Sequence, residues 1–190
     1  TGFILGLVFT LQSRPTLSEF GAESWMPSMV SISIVRELGP VIIALICAGK
    51  LSSGIGAELG SMRVTEQIDA MEVSGTNPFK YLVITRILAA TLILPLLIIF
   101  GDAIALFGSA LIENLKGDVS FQLYFNKVFN ALKFSDIIPA TIKSFFFGFS
   151  IGLVGCFKGY NCKKGTVGVG EASNTAVVYA SMLLFIVDFI

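Results

Sequence analysis

Five charged side chains lie inside long apolar runs of this chain. They are Arg36, Glu37, Asp102, Lys143 and Asp188. A charge at the centre of a membrane-spanning helix costs about 2.5–3.5 kcal/mol on insertion scales, so such residues generally face a partner or a wet cavity. Two roles fit them. The charges could neutralise one another and hold helices together, or they could line a polar cavity that holds a charged headgroup.

The adjacent pair Arg36 and Glu37 is the best candidate for binding an anionic group. A planar guanidinium matches a phosphate because it donates two parallel hydrogen bonds. The neighbouring carboxylate can orient the arginine or repel the wrong ligand. Binding and mutual neutralisation can also hold at once, so both stay open here.

A serine nucleophile is a second chemistry to consider. The sequence GFSIG at 148–152 fits the GxSxG pattern of a nucleophile elbow. Such a serine needs a general base, and the 190 residues contain no histidine. Lys143 lies about two helical turns before Ser150. The three cysteines have no second cysteine or histidine at ligand spacing, so we expect neither catalysis nor a metal on this chain.

The composition indicates that lipid, not water, is the main solvent of the elements that position these charges. Hydrophobic residues make up 54% of the chain and charged residues 14%, whereas soluble domains carry about 25% charged residues. The net charge is zero, so nothing favours nucleic acid as a partner.

Apolar runs predict an all-α integral membrane fold with five transmembrane helices. A spanning helix needs about 20 mostly apolar residues. Four segments meet that length, at roughly 28–50, 81–112, 137–158 and 172–190, and 1–12 is interpreted as the outer part of a truncated first helix.

Basic residues near the ends of the spans predict the orientation. Seven of them lie in 50–86 and 158–171, against four in the loops on the other side. We therefore place 51–80 and 159–171 in the cytoplasm, so the last helix ends outside.

Small residues recur at four-residue spacing in three places, one of which is Gly155 and Gly159. Ser52, Gly56 and Gly60 share one helix face, and Gly148 and Gly152 repeat the spacing. In lipid, such faces let helix backbones approach closely. No GxxxxGK[ST] pattern occurs, so packing is favoured over phosphate binding.

The segment 62–75 has the spacing of a short amphipathic helix, and Gly75 and Pro78 are its stop signals. Its apolar face holds Val64, Ile68 and Met71, and its acidic face holds Glu66, Asp69 and Glu72. A helix that lies on anionic lipid is usually basic. The acidic face therefore favours a basic groove on a partner protein, with a solvated helix that has no partner as the alternative.

Several motifs together resemble the MlaE/YrbE family, the permease subunits of bacterial ABC systems that move phospholipids between inner and outer membranes. They are RELGP (36–40), AGK (48–50), AELGSMRVTEQIDAMEV (57–73), GTNPFKYLVITR (75–86) and GYNCKKGTVGVGEASNTAVV (159–178), followed by Asp188. The resemblance covers essentially the whole chain. It implies a single permease domain over 1–190 that is a fragment, without the family's amino-terminal interfacial helix and with both chain ends missing.

The resemblance also implies an assembly in the bacterial inner membrane. Two copies form the core, and a phospholipid cavity lies at their interface. ATPase subunits sit beneath and an MCE-domain ring sits above, with a STAS-type accessory subunit as a further partner. No cofactor is expected on this chain, because ATP and magnesium bind the ATPase.

Particular residues take roles from the resemblance. The lipid pocket or its support would include Arg36, Glu37, Lys143 and Asp188. The coupling helix would be 62–74, where Arg63, Glu66, Gln67, Asp69, Met71 and Glu72 would contact the ATPase. Some relatives carry arginine in the stretch that here reads EASNT, at Glu171 and Thr175, so that arginine's role cannot be transferred.

Two other classes of protein stay open from sequence. An ATP-independent transporter or channel would use the intramembrane charges as an ion relay. An intramembrane hydrolase would use Ser150 as its nucleophile.

Overall fold

The computed structural model describes residues 1–116, 119–163 and 165–189, and within these ranges it contains α-helices and no strand. Lys164, one of the seven basic residues used for orientation, lies outside the described residues. The helices are α1 (Gly2–Glu19), α2 (Met26–Ser33), α3 (Gly39–Cys47), α4 (Ser53–Val64), α5 (Gln67–Val73), α6 (Thr85–Lys116), α7 (Phe121–Ala131), α8 (Phe134–Tyr160) and α9 (Thr166–Phe189).

Three π-helical segments interrupt the longer helical runs. They are Ile34–Leu38 between α2 and α3, Ala48–Ser52 between α3 and α4, and Phe79–Ile84 before α6. A π-helical turn widens the helix locally and is frequent at functional sites. The first of the three contains the predicted charged pair.

Four helical runs in the described part of the chain are long and apolar enough to cross a membrane. They are Glu23–Val64, Phe79–Lys116, Phe134–Tyr160 and Thr166–Phe189. These runs overlap the four predicted spans, so the all-α membrane fold is confirmed. The count of five stays a prediction, because α1, at 18 residues, is not among the four.

The sequence predicts that the first full span ends at about residue 50, and that Ser52, Gly56 and Gly60 beyond it share a helix face. The helical run continues through Ala48–Ser52 and α4 to Val64. Glycine lowers helix propensity, but here the small residues of α4 are held by packing. A Cβ on Gly56 would lie 3.4 Å from the carbonyl oxygen of Ala172 in α9, so the two helices touch along this face.

The chain divides into two compact units. The first comprises Thr1–Ile43 and Leu96–Ile142. Within it, α1 packs directly on α6, since a Cβ on Gly6 would overlap the carbonyl oxygen of Ala105. Its buried apolar residues include Met26, Val30, Ile34 and Ala105, with Ala110, Tyr124 and Val128 in a neighbouring cluster.

A buried polar contact also joins three helices of the first unit. The hydroxyls of Thr10 in α1 and Tyr124 in α7 both donate to Ser109 Oγ in α6, each at 2.7 Å. Burial raises the pKa of Tyr124 to about 12, so its hydroxyl stays protonated and keeps its donor at neutral pH. The contact fixes α7 against the middle of α1 and the last third of α6.

The second unit comprises Ala44–Pro95 and Lys143–Ile190. Glycines of α8 let it approach its neighbours closely: a Cβ on Gly148 would lie 2.6 Å from the Ala90 oxygen, and one on Gly152 would lie 3.0 Å from Ile87 Cα. Its apolar core contains Leu59, Ile68, Leu82, Val83 and Cys156. The core therefore joins the short helix α5 to the helices around it.

Large apolar side chains remain exposed along the membrane-length helices. Examples are Leu92, Leu96 and Phe100 of α6 and Phe185 and Ile186 of α9. Only 22% of the most apolar stretch of α9 is buried inside the protein. An exposed apolar surface of this extent suits lipid and not water.

Candidate functional site

The charged pair lies in the π-helical segment Ile34–Leu38 of the first unit. Ile34 is fully buried in the core, whereas Arg36 and Glu37 are both exposed. Packing of one face of this segment thus leaves Arg36 exposed on another face. An exposed guanidinium on a 42-residue apolar helix is suited to an anionic group outside the unit.

Asp102 of α6 lies behind this segment. It is 8% exposed, and its Oδ1 has no hydrogen-bond partner among the described residues. A Cβ on Gly39 would overlap the Asp102 carboxyl group, so the glycine of the RELGP motif makes room for it. The sequence allowed the charges in apolar runs to neutralise one another. No such pairing is observed for Asp102 among the described residues.

Lys143 and Asp188 are brought together in the second unit, although 45 residues separate them. Lys143 Nζ donates to Asp188 Oδ1 at 3.1 Å and to the Asp188 backbone oxygen at 3.0 Å. Their side chains are 26% and 25% exposed. The pair neutralises two charges in apolar helices and connects α8 to α9. This is the first of the two roles that the sequence allows, in which charges neutralise one another and hold helices together.

A double-mutant comparison tests this pairing. Asp188→Asn removes the carboxylate that Lys143 Nζ contacts at 3.1 Å, so we expect it to destabilise the protein by about 1–3 kcal/mol. The double variant Lys143→Met/Asp188→Leu removes both charges and should recover most of that loss. Thermal unfolding in detergent measures both. A double variant that is less stable than Asp188→Asn would contradict a merely neutralising pair.

The predicted coupling helix over 62–74 is wrong in its bounds. Helix α4 ends at Val64, and α5 begins at Gln67 and ends at Val73. Between them Glu66 adopts φ 59°, the left-handed region that ends a right-handed helix. Val64 therefore does not share a continuous helical face with Ile68, although Ile68 is fully buried as predicted for the apolar side.

Arg63 holds the two helices together across this break. Its Nη1 donates to Asp69 Oδ1 at 2.6 Å, and its guanidinium lies 5.9 Å from the centre of the Tyr160 ring. Met71 packs against the core of the second unit. Glu66, Gln67 and Glu72 are exposed, so the outward face of this segment carries two carboxylates while Asp69 is already paired.

The predicted small-residue faces lie at helix contacts of the second unit. Besides Gly56, a Cβ on Gly60 would lie 3.3 Å from Cys162 Sγ. Ser52 is fully buried, and the neighbouring Ser53 hydroxyl lies 2.7 Å from that of Ser173 in α9. Sequence spacing did not identify this serine pair, because its members are 120 residues apart and neither has a distinctive neighbour.

The nucleophile-elbow interpretation is wrong. Ser150 lies within the continuous helix α8 and is 5% exposed, whereas an elbow is a sharp strand-to-helix turn that presents its serine. Lys143, the only base considered for it, is bonded to Asp188.

The stretch where some relatives carry arginine has its own contacts. Glu171 lies 3.8 Å from Lys163, and the Thr175 hydroxyl donates to the Glu171 backbone oxygen at 2.7 Å. Both contacts are local to the start of α9.

Helical runs of membrane length, with charged side chains in apolar segments, define a multi-span membrane protein. Comparison with known proteins places it more closely. The chain belongs to the MlaE family of ABC transporter permeases, because the family model described as Permease MlaE matches residues 1–190.

Relatives from bacteria and a plant agree with this assignment. A probable ABC transporter permease protein of Rickettsia felis is 40% identical over 190 residues, which are all of this chain and 73% of the relative. The intermembrane phospholipid transport system permease protein MlaE of Haemophilus influenzae is 32% identical over 191 residues, again 100% and 73%. The chloroplastic protein TRIGALACTOSYLDIACYLGLYCEROL 1 of Arabidopsis thaliana is 34% identical over all of this chain and 54% of its own length.

Proposed function

We propose that this chain is the permease subunit of an ABC system that moves phospholipids between the inner and outer membranes of a bacterium. The similarity to a phospholipid transport permease of Haemophilus influenzae supports phospholipid as the substrate. The observation that carries the proposal is the exposed Arg36 in a π-helical turn of an apolar helix. A lipid phosphate would offset the cost of that charge, and the acyl chains would lie on the surrounding apolar surface.

The assembly in this proposal has several partners. A second copy of the chain completes the lipid cavity, and the pair Lys143 and Asp188 supports that cavity from α8 and α9. A separate ATPase subunit binds ATP and magnesium and docks on α5. An MCE-domain protein lies on the periplasmic side, and a STAS-type subunit is a further partner. The complex resides in the inner membrane.

Coupling in this proposal runs through the second unit. ATP-driven closure of the ATPase moves α5, and α5 is bonded to α4 through Arg63 and Asp69. Because Gly56 of α4 lies against α9 and Gly148 of α8 lies against α6, the helices have little room to deform independently. The shift is therefore passed to the membrane helices, and the lipid cavity changes its opening. A ligand can drive such a change only if its contacts differ between the two states.

Removing the Arg36 charge tests the proposed substrate contact. Arg36→Ala should reduce the phospholipid that co-purifies with the protein about tenfold, which corresponds to losing about 1.4 kcal/mol of binding. Arg36→Lys keeps the charge but loses the two parallel donors of the guanidinium. The amount of phospholipid that co-purifies with it should therefore lie between those of the wild type and Arg36→Ala. Quantitative mass spectrometry of extracted lipid measures this, with the exposed Lys80→Ala as a control. Unchanged lipid in Arg36→Ala would leave Arg36 a structural charge.

A further inference from the structure

A cavity of about 220 Å³, with four charged side chains in its lining, lies in the first unit, apart from the segment that holds Arg36 and Glu37. It is enclosed by the end of α1, the turn before α2, the end of α6 and α7. The residues that matter most are Arg14, Glu23, Ser24, Met26, Glu113 and Lys127. By the predicted topology, the cavity is on the periplasmic side.

Two charged side chains that line this cavity, Arg14 and Glu113, each have one buried terminal atom without a hydrogen bond among the described residues. The Glu113 side chain is 4% exposed, and its Oε1 lies 3.7 Å from Arg14 Nη1. That distance is too long for a hydrogen bond, and neither atom has another hydrogen-bond partner among the described residues. Buried charges without such partners are strongly destabilising. Both side chains also line the cavity, so an occupant with a positive and a negative end could complement the charges of this pair.

The charges around the cavity balance and restrict what that occupant can be. Arg14 and Lys127 supply two cations, and Glu23 and Glu113 supply two carboxylates. Lys127 Nζ is held in place because it donates to the Ser24 backbone oxygen at 2.8 Å. A simple anion would be repelled by the two carboxylates. A simple cation would be repelled by the guanidinium and the ammonium group. A zwitterion whose opposite charges are a few ångströms apart satisfies both signs.

The walls of the cavity are held by contacts outside it. The hydroxyls of Thr10 and Tyr124 on Ser109 fix α1, α6 and α7 together, and the close approach of α1 to α6 at Gly6 restricts sliding. A binding site supported in this way keeps its charged groups in place before the ligand arrives.

We infer that this cavity binds a zwitterionic group, with an ammonium on Glu113 and an anionic oxygen on Arg14. Phosphoethanolamine has this chemistry, either as a free molecule or as the headgroup of phosphatidylethanolamine. The inference does not depend on the proposed lipid pocket, because no residue is shared with Arg36, Glu37, Lys143 or Asp188.

Titration calorimetry of the full chain in a non-ionic detergent tests the inference. The probes are phosphoethanolamine, inorganic phosphate and ethylamine. We expect phosphoethanolamine to bind at least tenfold more tightly than either of the other two, since only it satisfies both Arg14 and Glu113. Equal affinity for phosphate or for ethylamine would overturn the inference. So would a failure of both free phosphoethanolamine and the headgroup of phosphatidylethanolamine to bind in the cavity. This comparison needs no variant, so a folding defect cannot obscure it.

Variants locate the site. Glu113→Gln should weaken binding of phosphoethanolamine at least tenfold, whereas Glu19→Gln, on an exposed residue of α1 outside the cavity, should leave it unchanged. Equal losses in both variants would place the binding elsewhere and overturn the assignment.

Labelling in lipid nanodiscs decides whether the zwitterionic group is the headgroup of a lipid or a free molecule. Phosphatidylethanolamine carrying a photoreactive headgroup should label residues of the cavity if the ligand is a lipid, and free phosphoethanolamine should then compete with it. Binding of free phosphoethanolamine without labelling by the lipid would assign the cavity to a soluble zwitterion. Labelling confined to residues outside the cavity, without binding of the free molecule, would overturn the proposal.

Discussion

Gly148→Ala is expected to destabilise the protein by about 1–3 kcal/mol, the range seen when atoms are added to a well-packed core. The new Cβ would lie 2.6 Å from the Ala90 backbone oxygen and 2.8 Å from Thr91 Cα. Both are backbone atoms of α6, so no flexible side chain can turn aside. The two helices would have to separate, and the contacts on both sides of Gly148 would weaken. Thermal unfolding in detergent measures the change.

Gly54→Ala is the matched control for this substitution. Gly54 is also a helical glycine, but a Cβ there would meet nothing within 4 Å. Alanine raises helix propensity by about 1 kcal/mol relative to glycine, so this variant should be neutral or more stable. Opposite signs for the two variants are therefore expected. A loss of stability of the same size in both would show that close packing at Gly148 does not decide the outcome.

Reversing the two outward carboxylates of the α5 segment is expected to uncouple the protein from its ATPase. Glu66→Lys/Glu72→Lys should lower lipid-stimulated ATP turnover of the reconstituted complex about tenfold or more, because like charges across an interface cost several kcal/mol. Both side chains are exposed, so the variant should still fold and insert. Co-purification with the ATPase and the rate of phosphate release measure the effect.

Asp69 is left out of this reversal because the structure pairs it with Arg63 at 2.6 Å. Asp69→Lys would break an internal contact and confuse a folding defect with lost coupling. Glu19→Lys, which by the predicted topology lies on the other side of the membrane, controls for the change in net charge. If the double reversal co-purifies normally and turns over ATP at the wild-type rate, α5 does not contact the ATPase through these carboxylates.

The membrane helices were predictable because hydropathy over about 20 residues reports burial in lipid directly. The span predicted at 137–158 lies within α8 and is two or three residues shorter at each end, whereas α9 begins at Thr166, six residues before the predicted start at 172. Hydropathy placed the end of the first full span near residue 50, whereas the four-residue spacing of Ser52, Gly56 and Gly60 predicted that the helix continues. Packing of Gly56 on α9 keeps this stretch helical, and hydropathy does not detect such packing.

Local geometry and long-range pairing were harder to predict. The backbone of Glu66 is left-handed, which is unusual for a residue other than glycine. Nothing in the sequence indicated this break, so residues 62–74 were predicted to form one helix. The contact between Lys143 and Asp188 depends on how α8 and α9 face each other, which periodicity alone does not determine. Glu113 was overlooked because the predicted span ended one residue before it, although α6 continues to Lys116. Its position next to Arg14 became visible only in the folded unit.

The most direct test of the proposed function measures phospholipid transfer in proteoliposomes. Labelled phosphatidylethanolamine is placed in the bilayer, and its arrival in acceptor vesicles is followed with and without ATP. We expect transfer by the complex of this chain with its ATPase and MCE-domain partners, and none by this chain alone or in the absence of ATP. Transfer by the chain alone at the rate of the complex, without ATP, would contradict the account and favour an ATP-independent transporter.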